Sequence, residues 1–419
     1  MLDIDYIRKN KAVVTRQVSE RGVDGDKVTE VMKLDEAYRT ELKRVEELRA
    51  KRNEAAKARD ITAGKKLKVE LERSESGLEK AKSEFEAKML ELPNLALPDV
   101  PVGLADKNKI IKESGTPKKF DFTPRDHLDL GERLGIIDMS SAAKVTGSRF
   151  TYLKAAGARL ELALVSLSME RLTAAGFTPV MPPLMIREEI TKKLGYWQAG
   201  GNENYYKVVD LLSEEDKEEK SFYLIGTGEH AVVPMHEGDI LPKAELPRRY
   251  AAYSPCFRRE AGTYGKDTRG IIRVHQFDKV EMVSFTSPEE SQQELEILLD
   301  LSWTLMKDLG LPVRQVILST RDMSFPAAKT VDIETWFPSQ NTYRETHSIS
   351  TTTDFQARRL NTRYIDQGKT GFVHILNGTS FAIGRTLAAI LENYQRADGS
   401  VEVPKILRSY TGFNEIRPN

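Results

Sequence analysis

The sequence predicts an α+β protein in which a long N-terminal helical hairpin precedes a domain built on an antiparallel sheet. Residues 27–92 contain no proline and no tryptophan and are dominated by Lys, Arg, Glu, Ala and Leu, a composition typical of long helices. After them, strand-like runs follow one another closely, which favours antiparallel pairing over βαβ units. We therefore expect two domains, 1–100 and 101–419, with the hairpin in the first.

The hairpin is predicted from the spacing of its apolar residues. The average step is near 3.5 in the first half, and steps of four and three alternate in the second. The seam positions are Val31, Leu34, Tyr38, Leu42, Val45 and Leu48, then Leu67, Leu71, Ser74, Leu78, Ala81 and Phe85. Residues 60–64 are predicted to form the turn, and Pro93 to stop the second helix. Two helices of about 30 residues give an arm about 45 Å long, too thin to enclose a pocket.

Charge is uneven along this arm, which comprises residues 27–92. Around the turn, residues 43–68 contain ten basic and four acidic side chains, whereas the whole arm has 17 and 15. Over the full chain both kinds number 63, so no overall field indicates a nucleic-acid partner. A tip that contacts phosphates and an ordinary solvated coiled coil both fit this pattern.

Several classes of site are excluded or disfavoured by the sequence. Cys256 is the only cysteine, which excludes an internal disulfide and a cysteine-based zinc site. The segment 262–267 lacks the first glycine and the Ser/Thr of a P-loop, and no G-x-G-x-x-G occurs. The N-terminus has no apolar export segment, and no run approaches 18 apolar residues. We therefore expect a cytoplasmic protein without zinc or membrane contact.

The second domain is predicted to alternate between helices and strands. A helix over 158–175 is expected to end at Gly176, Ser287-Pro288-Glu289-Glu290 to open a helix that stops before Gly310, and a last helix to lie near 380–395. The predicted strands are Thr178–Met181, Phe222–Thr227, Tyr250–Glu260, Ile271–Phe285 and Val313–Ser319.

The segment 254–282 carries the densest chemistry. By the period of two, Arg273, His275, Phe277 and Glu281 share one strand face. Arginines on rigid strands suit bidentate phosphate contacts, and a cation, an aromatic ring and a carboxylate are costly to bury together without a ligand. The pattern fits a nucleotide site, and it also fits a surface hairpin of paired charges.

Three segments resemble the motifs of class II aminoacyl-tRNA synthetases. Phe257-Arg258-Arg259-Glu260 with Arg273-x-His275-Gln276-Phe277-x-Lys279-x-Glu281 (about 250–282) resembles motif 2. Gly384-Arg385-Thr386-Leu387 (about 376–395) resembles motif 3, and the helix and strand of about 158–183 resemble motif 1, the dimer-forming element. The hairpin, Thr227-Gly228-Glu229, 353–359 and 391–395 are similar to the seryl members of that class. This resemblance implies a six- or seven-stranded antiparallel sheet flanked by helices.

The resemblance also implies an activity: formation of seryl-adenylate from L-serine and ATP, then transfer to the 3′ end of serine tRNA, with selenocysteine tRNA as a further candidate. It implies Mg²⁺ at Glu345 and Ser348, a homodimer, and an arm that clasps tRNA, with Lys51, Arg52, Lys65 and Lys66 as the expected tip contacts. Related ligases that load carrier proteins lack the hairpin. A paralogue without catalysis is disfavoured because the motif arginines are present, and a purely structural coiled coil because of residues 150–419.

Residue roles follow from the same resemblance. Arg258, Arg273 and Arg385 are the expected catalytic residues; Arg258 bridges the serine carboxylate and the α-phosphate. Further ATP contacts are expected from Arg259, Glu260, Val274, Phe277, Glu345, Thr346, His347 and Ser348. Serine contacts are expected from Thr227, Gly228, Glu229, Arg258, Glu281, Asn377 and Thr379. The chain departs from the family pattern at Gly228 and at Ile349, and it has Thr379 where serine is common.

Overall fold

The computed structural model describes residues 1–197, 202–210, 220–261 and 269–418 and divides the chain into two compact units, Met1–Ala96 and Leu97–Asn419. The helices are α1 Ile4–Lys9, α2 Lys11–Glu20, α3 Asp26–Lys57, α4 Ile61–Met89, α5 His127–Arg133, α6 Met139–Thr146, α7 Ala155–Ala174, α8 Glu188–Leu194, α9 Glu229–Val232, α10 Ser291–Asp308, α11 Phe355–Leu360, α12 Ile383–Asn393 and α13 Arg408–Thr411. The strands are β1 Lys109–Ser114, β2 Ile137–Asp138, β3 Tyr152–Leu153, β4 Thr178–Val180, β5 Met185–Arg187, β6 Lys207–Asp210, β7 Lys220–Leu224, β8 Ile240–Pro242, β9 Arg248–Phe257, β10 Gln276–Thr286, β11 Val313–Ile317, β12 Lys329–Phe337, β13 Thr342–Thr353, β14 Arg363–Asp366, β15 Lys369–Phe372, β16 His374–Ala382, β17 Val401–Glu402 and β18 Glu415–Ile416.

The first unit contains the predicted helical hairpin, formed by α3 and α4. The heptad positions lie between the two helices: Val45, Leu48 and Leu71 form one buried cluster. The rings of Tyr38 and Phe85 stack with centroids 5.8 Å apart. Every predicted seam position is buried or half-buried. The coiled-coil prediction is therefore confirmed.

The turn of the hairpin lies earlier than predicted. It is formed by residues 58–60, whereas 61–64 belong to the first turn of α4. The Asp60 carboxylate accepts a hydrogen bond from the Ala63 N–H at 2.9 Å and so caps α4 at its N-terminus. Because this cap satisfies a free helical N–H, the helix starts directly after Asp60 despite the glycine at position 64.

The second unit is built around a mixed sheet of eight strands in the order β1-β11-β12-β13-β16-β10-β9-β4. Strands β4 and β9 run parallel, and every other neighbouring pair in this sheet is antiparallel. The antiparallel α+β prediction is confirmed, but the expected six or seven strands are too few. The difference arises because β1 and β4 extend the two edges.

The two faces of the sheet have different roles. On β10, Val280 and Met282 point into the main hydrophobic core, together with side chains of α7, α10 and α12. Lys279 and Glu281 alternate with them and therefore face the opposite side, where they line a cavity. A second apolar cluster lies beside that cavity and includes Ile190, Val283 and Phe285.

Several predicted strand bounds differ from the structure. β10 begins at Gln276, not at residue 271, because the His275 N–H donates to the Arg149 carbonyl at 2.8 Å, outside the sheet. β7 ends at Leu224 and belongs to a separate three-stranded sheet, so Thr227 lies in a loop. β9 ends at Phe257, before the Glu260 that was expected to close it.

The predicted helix ends are closer to the structure. α7 ends at Ala174, and Gly176 adopts a left-handed φ of 85° two residues later. α10 ends at Asp308, before Gly310 with a φ of 69°. A 3₁₀ turn precedes α10, and Ser287 Oγ donates to Glu290 at 3.1 Å, so the predicted capping box is not formed. No helix within the described residues is long and apolar enough to cross a membrane.

Candidate active site

A cavity of about 490 Å³ opens on the sheet face opposite the main core. Its walls come from β10, from the segment that follows β9, from β13 and β16, from the first turn of α12, and from α9 with the residues before it. Most of the predicted site residues line it: Thr227, Glu229, Arg258, Glu260, Arg273, Val274, Phe277, Glu281, Glu345, Thr346, Ser348, Asn377, Thr379 and Arg385. Sequence positions more than 150 residues apart thus meet in one cavity.

One end of the cavity is acidic and holds hydroxyl groups. Thr379 Oγ1 donates to Glu281 at 3.2 Å, across neighbouring strands β16 and β10. Lys279 Nζ lies 2.6 Å from the same Glu281 oxygen, and both side chains are buried. Burial and the nearby Glu281 raise the pKa of Glu229 to about 7, well above that of an ordinary glutamate. This end is therefore built to receive a ligand that carries positive charge and hydrogen-bond donors.

Two polar atoms at this end are buried and have no hydrogen-bond partner among the described residues. They are Thr227 Oγ1 and Asn377 Nδ2, and both residues line the cavity. A buried polar atom without a partner costs about 1–3 kcal/mol. A polar ligand in the cavity removes this cost, so the two atoms indicate a binding function.

Arginines occupy the other part of the cavity. Arg258 Nε donates to the Gly226 carbonyl at 3.0 Å, and its guanidinium carbon lies 5.4 Å from the centroid of the Phe277 ring. Arg273 pairs with Glu260 at 2.5 Å. Glu260 has a left-handed φ of 51°, an unusual conformation for a residue with a side chain. The guanidinium groups are therefore held in defined positions by main-chain and carboxylate partners.

The start of α12 closes this part of the cavity. Arg385 Nη1 lies 2.9 Å from the Glu345 carboxylate, and its Nε donates to the Ile272 carbonyl at 3.2 Å. Desolvation disfavours the charged form of the Glu345 carboxylate and would by itself raise its pKa. The positive charges of Arg385 and Arg258 favour the charged form more strongly, so the pKa of Glu345 lies below its usual value. Behind Glu345, burial and the charge of Glu345 raise the pKa of Asp332 well above its usual value.

Of the residues predicted to contact serine or ATP, three do not line the cavity. Arg259 is exposed, and its backbone N–H donates to the Asn204 carbonyl at 2.9 Å. His347 is buried below the cavity floor, where Nε2 lies 2.9 Å from the Ser380 carbonyl, and burial lowers its pKa to about 4. Gly228 lies at the start of α9, where a Cβ would come within 3.1 Å of Ala252 Cβ. A larger residue at position 228 would therefore require Ala252 to shift by a few tenths of an ångström.

The departure at position 349 has a structural explanation as well. Ile349 is fully buried in the main core, and a Cβ on Gly378 would lie 3.0 Å from its Cγ1. Its neighbours Ser348 and Ser350 point the other way and line the cavity. Ile349 therefore packs the core and leaves the cavity wall unchanged.

Sequence reasoning missed several residues of the cavity wall, among them Tyr196, Asn204, Tyr205 and Lys279. The first three lie outside the recognised motifs, in a segment without helical or strand periodicity. Lys279 stands inside motif 2, and its alternation with Arg273, Phe277 and Glu281 was the available signal. Residues 262–268 of motif 2, including the rejected P-loop, lie outside the described residues.

Known proteins confirm the family. The model of the tRNA synthetase class II core domain (G, H, P, S and T) matches residues 206–394, and that of the seryl-tRNA synthetase N-terminal domain matches 1–96. The serine–tRNA ligase of Thermobifida fusca is 41% identical, with 100% of this chain and 99% of the relative covered. The chain belongs to the seryl-tRNA synthetase family.

Two solved structures of family members agree over the whole length. The seryl-tRNA synthetase of Pyrococcus horikoshii, complexed with ATP, is 38% identical with a TM-score of 0.91, and both chains are fully covered. The cytoplasmic serine–tRNA ligase of Naegleria fowleri, in complex with AMP, is 31% identical with a TM-score of 0.89, covering 100% of this chain and 99% of that one. The chain is therefore an aminoacyl-tRNA ligase of class II with the helical arm of the seryl family.

Proposed function

We propose that this family member activates L-serine with ATP and transfers it to the 3′ end of serine tRNA. The observation that carries the proposal is the two-ended cavity: arginines and Phe277 at one end, and Glu229, Glu281 and Thr379 at the other. Arg258 lies between them and is suited to bridge the serine carboxylate and the α-phosphate. Joining those groups builds negative charge at phosphorus, where a fixed guanidinium stabilises the transition state most.

ATP is proposed to occupy the arginine end. Phe277 offers a ring face for the adenine, Glu260 accepts from the adenine amino group, and Arg273 and Arg385 hold the outer phosphates. Arg385 and Arg273 must then exchange their present carboxylate partners, Glu345 and Glu260, for phosphate oxygens. The reaction needs no nucleophile from the enzyme, because serine itself attacks and the protein positions the reactants.

Mg²⁺ is proposed to be held by Glu345 and Ser348, both of which line the cavity. The donor set fits, because Mg²⁺ prefers oxygen ligands and usually combines one or two carboxylates with phosphates and water. Asp332 supports the fit: it pairs with Ser348 across neighbouring strands, and its Oδ1 is buried without a hydrogen-bond partner among the described residues. When bound, the ion would neutralise charge on the phosphates.

Selection of serine is proposed to depend on the acidic end. Glu229 with Thr227 receives the ammonium group, and Glu281 with Thr379 receives the hydroxyl. A buried carboxylate that meets a hydroxyl is left unpaired when alanine enters, and such sites reject the smaller analogue by about 10⁴–10⁵. ATP–pyrophosphate exchange across the twenty amino acids tests this. We expect serine to support the fastest exchange; faster exchange with threonine or glycine would refute the serine assignment and leave the class II assignment intact.

The arm is proposed to bind the tRNA. Lys51, Arg52, Lys65 and Lys66 are exposed near its tip, and within residues 1–96 none of them makes an ion pair. Basic residues further along the arm do pair, for example Arg49 with Glu75 at 2.7 Å. Unpaired cations are the ones that gain most from phosphate contacts, since no carboxylate must first be released.

A homodimer is proposed from the exposed surface around motif 1. Leu162 of α7 is 61% exposed, and Met181, directly after β4, is 82% exposed. Both side chains lie within the segment that resembles motif 1, the dimer-forming element, so they are the apolar groups that a partner subunit would cover. Sedimentation at micromolar concentration should give a species of twice 47.3 kDa, and a 47.3 kDa species would contradict the proposal. We also propose a cytoplasmic location, because the proposed activity serves translation.

A further inference from the structure

Tyr196 contacts the acidic end of the cavity from a segment outside the three motifs. It follows α8 by two residues and lines the cavity. Its hydroxyl donates a hydrogen bond to Oε1 of Glu229, a residue that is 3% exposed. Glu229 has two carboxylate oxygens, so this contact occupies one and leaves Oε2 for a ligand.

Aromatic packing holds the Tyr196 ring in place. The ring lies 4.9 Å from that of His230, and Tyr205 also packs on His230, at 5.4 Å. His230 Nδ1 accepts from the Gly226 N–H at 3.2 Å, and burial keeps its pKa well below the usual value, so the ring stays neutral. The carbonyl of the same Gly226 accepts from Arg258. The phenol is thus fixed by the same short segment that positions Arg258.

The charges around Glu229 show why a fixed donor matters. Glu281 repels it, Lys279 and Arg258 attract it, and the Tyr196 hydroxyl donates to its ionised form. Tyr205 and His230 contact the same region as uncharged groups. When two buried carboxylates lie close together, ionisation of one raises the pKa of the other. Lys279 pairs directly with Glu281, whereas Glu229 has the Tyr196 hydroxyl as its direct partner.

We propose that Tyr196 is a positioning residue for amino-acid recognition, whose hydroxyl orients the Glu229 carboxylate so that the free oxygen receives the substrate ammonium. The inference rests on the proposed function and deepens it. The Tyr196 phenol orients Glu229, which receives the ammonium group of the substrate. Lys279 orients Glu281, which receives the substrate hydroxyl, in the same way.

The test compares Tyr196→Phe with the wild type in serine-dependent ATP–pyrophosphate exchange. We expect the KM for serine to rise about tenfold near pH 7.5, the scale of one hydrogen bond to a charged group, with the KM for ATP unchanged. The acidic limb of the serine KM profile should move up by about one pH unit, because Glu229 loses a donor to its charged form. Tyr223→Phe is the matched control, since its ring packs 4.8 Å from Trp197 in the same cluster but does not line the cavity.

A double-mutant cycle with Glu229→Gln separates a positioning role from a structural one. If Tyr196 acts through Glu229, removing its hydroxyl in the Glu229→Gln background should change the serine KM by less than about twofold. An unchanged serine KM in Tyr196→Phe, a pH limb that does not move, or full additivity would overturn the inference. Wild-type protein without serine-dependent exchange would instead overturn the proposed function.

Discussion

The arm and the cavity are specified by the sequence in opposite ways. In the arm, apolar residues recur every three or four positions. Ion-pair partners such as Arg49 and Glu75 lie 26 positions apart on two neighbouring helices. The residues of the cavity follow no repeating pattern in the sequence. Thr379, for example, donates to Glu281, which is 98 residues away along the chain. The periodic sequence therefore predicts the shape of the arm but says little about what the arm binds. The residue types of the cavity predict a reaction, but only when the fold shows that they lie together.

The largest expected effect is the loss of tRNA charging, without loss of serine activation, when the arm is removed. Replacing residues 36–85 by a short flexible link should leave serine-dependent pyrophosphate exchange near normal, because Leu97–Asn419 has its own core. Charging of tRNA should fall by at least about 10³-fold, the scale set by losing several phosphate contacts. Both activities are measured on the same preparation, so exchange is the internal control. Full charging by the shortened protein would contradict the tRNA assignment of the arm.

The arm could be predicted almost entirely from the sequence. Heptad spacing identified the seam, and the composition of residues 27–92 indicated long helices. The predicted turn, residues 60–64, was wrong because the hairpin turns at residues 58–60 and Asp60 caps the helix that follows. Asp60 accepts a hydrogen bond from the Ala63 N–H in the first turn of α4, and Gly64, which faces open space, is tolerated inside the helix.

The cavity could be predicted only in part. The motifs indicated residue types, but whether a side chain reaches the cavity depends on strand bounds and on long-range contacts. His275 leaves the sheet because its N–H bonds to Arg149, more than a hundred residues away. Tyr196 belongs to no motif and contacts Glu229, which lies 33 residues further along the chain. Such contacts carry no periodic signal, so spacing could not reveal them.

The next largest effect divides the cavity into its two ends. Glu281→Ala should reduce kcat/KM for serine by about 10²–10³-fold with ATP affinity near normal, since Glu281 is assigned to the side-chain hydroxyl. Arg258→Ala should weaken binding of both reactants, because Arg258 interacts electrostatically with Glu229 at the acidic end and with Glu345 at the arginine end. The ATP affinity of the two variants, measured by equilibrium binding, shows whether Glu281 acts on serine alone and Arg258 on both reactants. Glu281→Gln keeps the shape and serves as the matched variant; equal loss of ATP binding in the Arg258 and Glu281 variants would contradict the division.

A smaller effect concerns the stability of the first unit and not its function. Asp35 is 1% exposed and accepts from Arg8 at 2.8 and 2.5 Å and from Arg39 at 3.1 Å. Asp35→Ala should lower the free energy of unfolding of this unit by about 2 kcal/mol, less than for a fully buried pair because Arg8 is partly exposed. Hydrogen exchange of the amides in residues 1–96 measures it. Asp5→Ala removes an exposed partner of the same Arg8 and should cost less than about 1 kcal/mol.

The pH dependence of that pair has a defined sign. Burial opposes ionisation of Asp35, but Arg8 and Arg39 outweigh it and lower its pKa below the usual value. The stabilisation is therefore complete above the unfolded-state pKa of about 3.9 and is lost as the pH falls through the lower folded value. The difference in protection between the wild type and Asp35→Ala should shrink only at strongly acidic pH. A difference already absent at pH 6 would contradict the ion-pair explanation.

The smallest effect tests which part of the arm contacts the tRNA. Neutralising Lys51, Arg52, Lys65 and Lys66 to Gln should weaken tRNA binding by about tenfold at 0.1 M salt, because the rest of the arm still binds. The slope of log affinity against log salt should fall by roughly one for each phosphate that is no longer neutralised, since each neutralised phosphate releases counterions. The matched control neutralises four basic residues further from the turn on the same two helices: Lys33, Arg73, Lys80 and Lys82. Equal slopes for the two variants would show that charge anywhere on the arm suffices, and the basic excess at the tip would then have no specific role.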